Sequence, residues 1–315
     1  MIFRRYPRTS GFQVPTYLIC GLRVEADRPL PGAIPLADGR PDAVLREGVV
    51  SEHLDGAVQQ RPFWALSDEA FLWRGHGLGR FLVRQGREIL IEAEPGGSLE
   101  EVVPFVMGTG IAALLYQRGA MLLHASAVTF EGRAYAFCGP SGAGKSTLAA
   151  ALCQAGAGFL SDDITQVAVD PQGKVVLHAD GRDLKLTPRS IAQLGLDVQA
   201  RTRVRSRIKK YFVGPPVAAP LAVAPLAGVY FLMFDRTCLA PAITPLPALT
   251  TAQMLLEEAF RPKLALAMLG RGRMPHMTPA ILSQAGGFSL RRPEALESID
   301  QSVAQLLEHW RQARV

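Results

Sequence analysis

One run of residues constrains this chain more than any other: Gly139-Pro140-Ser141-Gly142-Ala143-Gly144-Lys145-Ser146, a full match to GxxxxGK[ST]. The apolar run Tyr135-Ala136-Phe137-Cys138 enters it and an alanine-rich run over 147–155 leaves it, so the pattern predicts strand, loop and helix in that order. Backbone N–H groups of such a loop close around phosphate oxygens, and glycines keep Cβ atoms out of the way. The helix N-terminus adds unpaired donors and partial positive charge. Gly139, Ser141, Gly142, Ala143, Gly144, Lys145, Ser146 and Thr147 are therefore the expected nucleotide-binding residues. Lys145 is expected on the β and γ phosphates and the Ser146 hydroxyl on Mg²⁺. A chance Gly-rich turn would not carry the strand and helix in register.

Directly after the helix, Phe159-Leu160-Ser161 reads as a short strand that ends in Asp162-Asp163. A metal–nucleotide site needs one carboxylate beside the metal, and a transfer reaction needs a second near the bond being made. The plain alternative is an acidic turn. Lying one helix away from the phosphate loop favours the functional reading.

The strand Leu123-His124-Ala125-Ser126-Ala127-Val128, the loop 139–146 and Leu160-Ser161-Asp162-Asp163 together resemble the kinase domain of the HPr kinase/phosphorylase family. They resemble in particular the HPr-kinase-related proteins of bacterial peptide-modification clusters, including lasso-peptide precursor kinases. The likeness covers residues 100–170 and fades to a general pattern of strands and a terminal helix beyond. It implies an ATP- and Mg²⁺-dependent kinase acting on a serine hydroxyl of a peptide or small protein, and a homo-oligomer. It also implies roles: Asp163 as general base, Asp162 as the metal-side carboxylate with Ser146, and His124 near the phosphates, with Lys145 as the catalytic cation. As a lone residue, His124 reads equally well as a buried hydrogen-bonded histidine. A glycine-rich segment near GIxELNV, tied in that family to the phosphorylase reaction, has no counterpart here, so reverse phosphorolysis is not expected. The N-terminal part does not resemble that of the bacterial HPr kinases, which argues against HPr itself as the acceptor.

The chain has 315 residues, 48% of them hydrophobic and 20% charged, enough for one large domain or a main domain with a smaller partner. The expected architecture is α/β: a β-rich module over 1–98, then a P-loop kinase domain over 99–315 with a central sheet flanked by helices. In the first part, 14–24 reads as a strand broken by Gly21, and short apolar runs at 63–65, 70–73, 81–84 and 89–93 read as strands. The stretch 29–55 reads as loop with one strand. Ser98 with Glu101 looks like a capping box opening a helix over 99–118, and 121–128 reads as one buried strand before a hairpin at Glu131-Gly132.

Cys20, Cys138, Cys153 and Cys238 lie far apart with no CxxC pair, which favours a reducing cytoplasm over a disulfide framework or zinc site. No secretory signal is expected at the N-terminus. Residues 212–234 carry no charge, yet Pro215, Pro216, Pro220 and Pro225 rule out a membrane helix. The net charge of +6 fits an anionic ligand better than a nucleic-acid wrap. Residues 201–210 hold four arginines and two lysines and read as a mobile cationic loop, with Arg207, Lys209 and Lys210 as candidates for a phosphate or substrate clamp. No nucleic-acid-binding module accompanies it. Farther on, 226–234 reads as a central strand. Thr250-Thr251 looks like a cap for a helix over 252–260. The stretch 261–282 reads as helical up to Pro275, 288–290 as an edge strand and 293–311 as an amphipathic helix. A small-molecule kinase and a nucleotide-dependent sensor stay open as rivals. A transport ATPase is disfavoured because no LSGGQ-like segment is present.

Overall fold

Short apolar runs closed by Gly, Asp or a charge make up the N-terminal part, and they fold as strands. The computed structural model describes residues 14–37, 39–196, 203–205, 208–217, 222–293 and 298–312. Its first sheet has nine strands, β1 (Thr16–Ile19), β2 (Leu22–Ala26), β3 (Pro35–Leu36), β4 (Ala43–Glu47), β5 (Gln59–Arg61), β6 (Trp64–Leu66), β7 (Ala70–Gly75), β8 (Gly79–Arg84) and β9 (Glu88–Ala93). Their order is β3-β1-β2-β4-β9-β8-β7-β6-β5. The strand expected over 14–24 is a hairpin, because Cys20 and Gly21 take positive φ (47° and 77°) and bring Leu22 back against Ile19. The 29–55 stretch holds two strands, β3 and β4, where one was expected.

The helix expected over 99–118 is present in three pieces: α1 (Leu99–Phe105), a wider π turn (Val106–Gly110) and α2 (Ile111–Gln117). The Ser98 hydroxyl accepts from the Glu100 N–H at 3.1 Å, so it caps the helix singly instead of forming the expected box with Glu101. Pro104 interrupts the ladder inside α1, and the turn widens just after it. Val102, Val106, Ile111 and Leu114 pack on Ile19, Val24, Phe71 and Phe81 of the first sheet. One core thus runs across the boundary expected at 98. This stretch is apolar enough in length and composition to cross a bilayer, and 72% of its most apolar window is buried inside the molecule.

The rest of the chain comprises β10 (Met121–Leu123), β11 (Ser126–Phe130), β12 (Arg133–Cys138), α3 (Lys145–Gln154), β13 (Gly158–Ser161), β14 (Thr165–Val169), β15 (Val175–His178), β16 (Leu184–Leu186) and α4 (Pro188–Gln193). It continues with β17 (Arg203–Arg205), β18 (Ile208–Val213), β19 (Val223–Phe234), β20 (Ala242–Pro245), α5 (Ala248–Glu257), α6 (Pro262–Gln284), β21 (Gly286–Arg292) and α7 (Ile299–Gln312). The expected strand over 121–128 is two: His124 and Ala125 separate β10, which pairs with β14, from β11, which pairs with β12 and β13. The twelve-residue β19 is the spine of the second sheet, with β12 parallel on one edge and, on the other, β15 antiparallel and then β21 parallel. Residues 288–290 therefore lie inside the sheet, between β19 and β20, and not at its edge. Alternation along β12 assigns the layers: Tyr135 and Phe137 face α3 and α7, while Ala134, Ala136 and Cys138 face α5 and α6.

Three further expectations are corrected. Helix α5 starts at Ala248, ahead of Thr250, and the Thr251 hydroxyl bonds back to the Pro247 carbonyl, so this threonine lies within the helix instead of capping it. Helix α6 continues past Pro275 to Gln284 and bends at Gly270 (φ 70°, ψ 172°). The described part of the basic stretch is strand and not loop: β17 pairs with β18, and β18 with β16, in a three-stranded sheet ordered β16-β18-β17.

Candidate active site

Direction of strands builds the site. Strands β12, β19 and β21 run parallel, and β13 shares their sense because both it and β12 lie antiparallel to β11. Their carboxyl ends consequently gather the phosphate loop, Asp162-Asp163, Phe234 and Arg292 at one edge, where open α/β sheets place ligands. His124 and Ser126 stand where β11 begins, at that same edge.

In the loop, Gly142 (φ 90°) and Gly144 (φ 81°) take backbone conformations that other residues avoid. A Cβ on Gly144 would also sit 2.5 Å from an Arg292 nitrogen. Lys145 is 7% exposed and donates to the carbonyls of Gly139 (2.5 Å) and Pro140 (3.3 Å). Burial lowers its pKa from the ordinary lysine value, opposed by the charge of Glu258. The Glu258 carboxyl accepts from the Gly139 N–H, and burial raises its pKa. The Thr147 hydroxyl bonds to that of Ser190 at 2.9 Å.

The two adjacent aspartates have separate surroundings. Asp162, 4% exposed, accepts on Oδ1 from the hydroxyls of Ser126 (2.6 Å) and Ser146 (2.8 Å), and on Oδ2 from the Lys185 N–H (3.0 Å). Asp163, at φ 71°, pairs through Oδ2 with Lys185 Nζ at 2.6 Å and faces His124 Nε2 at 3.7 Å. Burial pushes the Asp163 carboxyl up, but the Lys185 charge and hydrogen bond, aided by Arg182 and His124, outweigh it and hold it well below the usual carboxylate range. Burial and Lys145 lower the His124 pKa against the pull of Asp163 and Asp162, so the imidazole is neutral at pH 7.

A cavity of about 290 Å³ joins these groups: His124, Ser141, Gly142, Gly144, Lys145, Ser146, Thr147, Asp162, Asp163 and Lys210 all line it. Gly139 and Ala143 lie behind the loop, where their carbonyls take Lys145 and Arg292. Lys209 is exposed and does not line the cavity, and Arg207 falls outside the described residues.

Sequence reasoning missed Ser126, Lys185, Glu258 and Arg292 as members of the site. A lysine between two buried leucines on β16 was a readable signal for Lys185. Arg292 carried none, because it is brought to the loop only by the parallel pairing of β21 with β19. It is 3% exposed, donates through Nη2 to the Ala143 carbonyl and lies 5.2 Å from the Phe234 ring centroid. Its buried Nε has no hydrogen-bond partner among the described residues, and burial brings its pKa down to about 10. A guanidinium buried beside a phosphate loop with no carboxylate partner among the described residues is suited to receive an anion.

No protein-family profile matches the chain, and no curated protein matches it. Among solved structures it is similar to the Hpr(Ser) kinase/phosphatase from Coxiella burnetii, at 12% identity, covering 61% of this chain and 98% of that one, with a TM-score of 0.30. So distant a likeness carries no argument about activity, which rests on the cavity itself.

Proposed function

We propose that this protein is an ATP-dependent kinase that transfers the γ-phosphate to a serine hydroxyl of a peptide or small protein, such as a ribosomal precursor peptide. The reading rests on the split between neighbouring carboxylates. Asp162 accepts from the loop hydroxyl of Ser146 at 2.8 Å, whereas Asp163 faces the same cavity through a lysine and a histidine. A protein that only bound nucleotide would need the first alone.

In the transfer, the alcohol oxygen bonds to the γ-phosphorus as the bond from that phosphorus to the β–γ bridging oxygen breaks. The alcohol proton passes to Asp163, and ADP leaves with the electron pair. Because Lys185 keeps Asp163 ionised, the carboxylate is a weak base, and its chief contribution is to orient the hydroxyl. Lys145 has three N–H donors, two directed at loop carbonyls, and the third can meet a phosphate oxygen. Arg292 supplies a second positive charge beside the loop. Ser146 and Asp162 are hard oxygen donors that fit Mg²⁺, which when bound with ATP neutralises phosphate charge.

The test is incubation with γ-labelled ATP, Mg²⁺ and serine peptides beside sugars and nucleosides. Label on peptide serine is expected. Label on a sugar or nucleoside instead would make this a small-molecule kinase, and nucleotide bound without transfer to any acceptor contradicts the kinase reading.

A further inference from the structure

A second cavity, of about 110 Å³, shares Asp163 and Lys185 with the phosphate cavity and is otherwise made of different residues. Its buried floor is Val103, Met107 and Gly108 of the helix and π turn together with Phe260. Phe212 and Val204 of the three-stranded sheet form a side wall, and the exposed Pro31 and Arg261 mark its opening. Pro31 belongs to the first sheet's β2–β3 loop, which is fastened by Asp183 N–H to Gly32 O (2.6 Å) and Ile34 N–H to Gly181 O (2.8 Å). Arg182 holds the floor in place, donating through Nη1 to the Met107 carbonyl at 2.7 Å.

Charged groups in this lining are already engaged. Arg182 is paired with Asp180, Lys185 with Asp163, and Arg261 lies over the Phe260 ring at 5.7 Å. Among the described residues, the Asp163 end therefore offers the carboxylate suited to an incoming hydroxyl, with the exposed Arg261 at the opening. A sugar or polyol placed here would bury further hydroxyls against Met107, Phe212 and Phe260 with no partner, which is unfavourable. An apolar body with one hydroxyl would bury carbon against carbon and present that hydroxyl to the carboxylate.

We infer that this cavity is the acceptor site and that it selects a serine hydroxyl flanked by a compact apolar side chain, with the β2–β3 loop of the N-terminal part at its opening. This rests on the kinase reading above and gives the N-terminal part a function: it completes the acceptor's surroundings. Phosphoryl transfer then runs across the Asp163–Lys185 pair, with nucleotide on one side and acceptor body on the other.

Gly108 allows a direct test, because a Cβ built there meets nothing within 4 Å, and an added side chain enters open space. Full-length protein would be given Mg²⁺, ATP and two probes, N-acetyl-seryl-leucinamide and N-acetyl-seryl-asparaginamide, with glycerol and glucose alongside. Phosphorus NMR would follow the phosphoester, and calorimetry the binding of nucleotide. The leucine probe is expected to react at least tenfold faster than the asparagine probe, with the polyols slower still. Gly108→Ala and then Gly108→Leu should raise the KM of the leucine probe in steps, the second by at least tenfold, with nucleotide affinity and melting temperature held. Equal use of all four alcohols, no transfer to the leucine probe while ATP still binds, or indifference to Gly108→Leu would each overturn the acceptor site. Failure of ATP to bind at all would instead strike the kinase reading.

Discussion

Two arginines are each 3% exposed, and their neighbourhoods are opposite. Arg182, where the N-terminal sheet meets the second half of the chain, faces Asp180 with Nε and Nη2, each 2.7 Å from Oδ2, and also bonds the Met107 carbonyl and the Cys20 sulfur. Burial alone would depress its pKa, but Asp180 more than reverses that and raises it. Arg292, at the phosphate loop, has one carbonyl and one aromatic face among the described residues, and its pKa is pulled down. The first is a finished structural joint, and the second, in the function proposed above, is half of an interaction whose other half is the nucleotide phosphate. Equal burial therefore does not mean equal purpose; the partner does.

Arg182→Met breaks the finished joint and leaves the Asp180 carboxylate buried without its cation. The expected loss is about 3–5 kcal/mol of folding stability, read from urea denaturation. Stability within about 1 kcal/mol of the wild type would mean the pair is not the anchor described. Arg292→Met should do the reverse: stability close to wild type or slightly higher, and affinity for Mg²⁺–ATP lower by roughly 10- to 100-fold in calorimetry, the span of one charge-assisted hydrogen bond. Unchanged affinity with a large loss of stability would erase the contrast between the two arginines.

The smallest effect concerns pH. His124 has a folded pKa below its ordinary value, so the neutral form is favoured in the fold. The unfolded chain binds the proton first as pH falls, so this contribution is intact above the unfolded pKa of about 6.5 and is lost as pH falls from there through the folded pKa. His178 and His309 are shifted the same way by burial, and they share the slope. His124→Gln should therefore flatten only part of the decline in melting temperature on the acid side. A steeper decline would show that the Asp163 carboxylate, 3.7 Å away, dominates the imidazole instead.

What was legible in the sequence was whatever lay close together along it. The loop, the strand Arg133–Cys138 that feeds it, the helix that leaves it and the Asp162-Asp163 pair are contiguous, and the spine strand announced itself by an uncharged run. Turn residues were read less well. Cys20-Gly21 reversed the chain instead of merely interrupting it, and Pro275 did not stop a helix that bends at Gly270. The cationic run hid a strand pair, because β18 carries Lys209 and Lys210 in the part of its backbone that runs antiparallel to β17. Lys185 left a local trace, a lysine between two buried leucines, whereas Arg292 left none. Arg292 reaches the loop through the pairing of β21 with β19 across a long separation, which spacing along one sequence does not encode.

Asp163 is where the account is most exposed. Asp163→Asn keeps the size of the side chain and removes its charge, so Mg²⁺–ATP affinity should stay within about threefold of the wild type. Phosphoryl transfer to a serine acceptor, measured as single-turnover loss of label from ATP, should fall by at least about a hundredfold, the scale of losing the group that orients the reacting hydroxyl. Transfer at the wild-type rate with nucleotide still bound would contradict the assignment of Asp163 to the reacting hydroxyl, and with it the kinase mechanism proposed for this cavity.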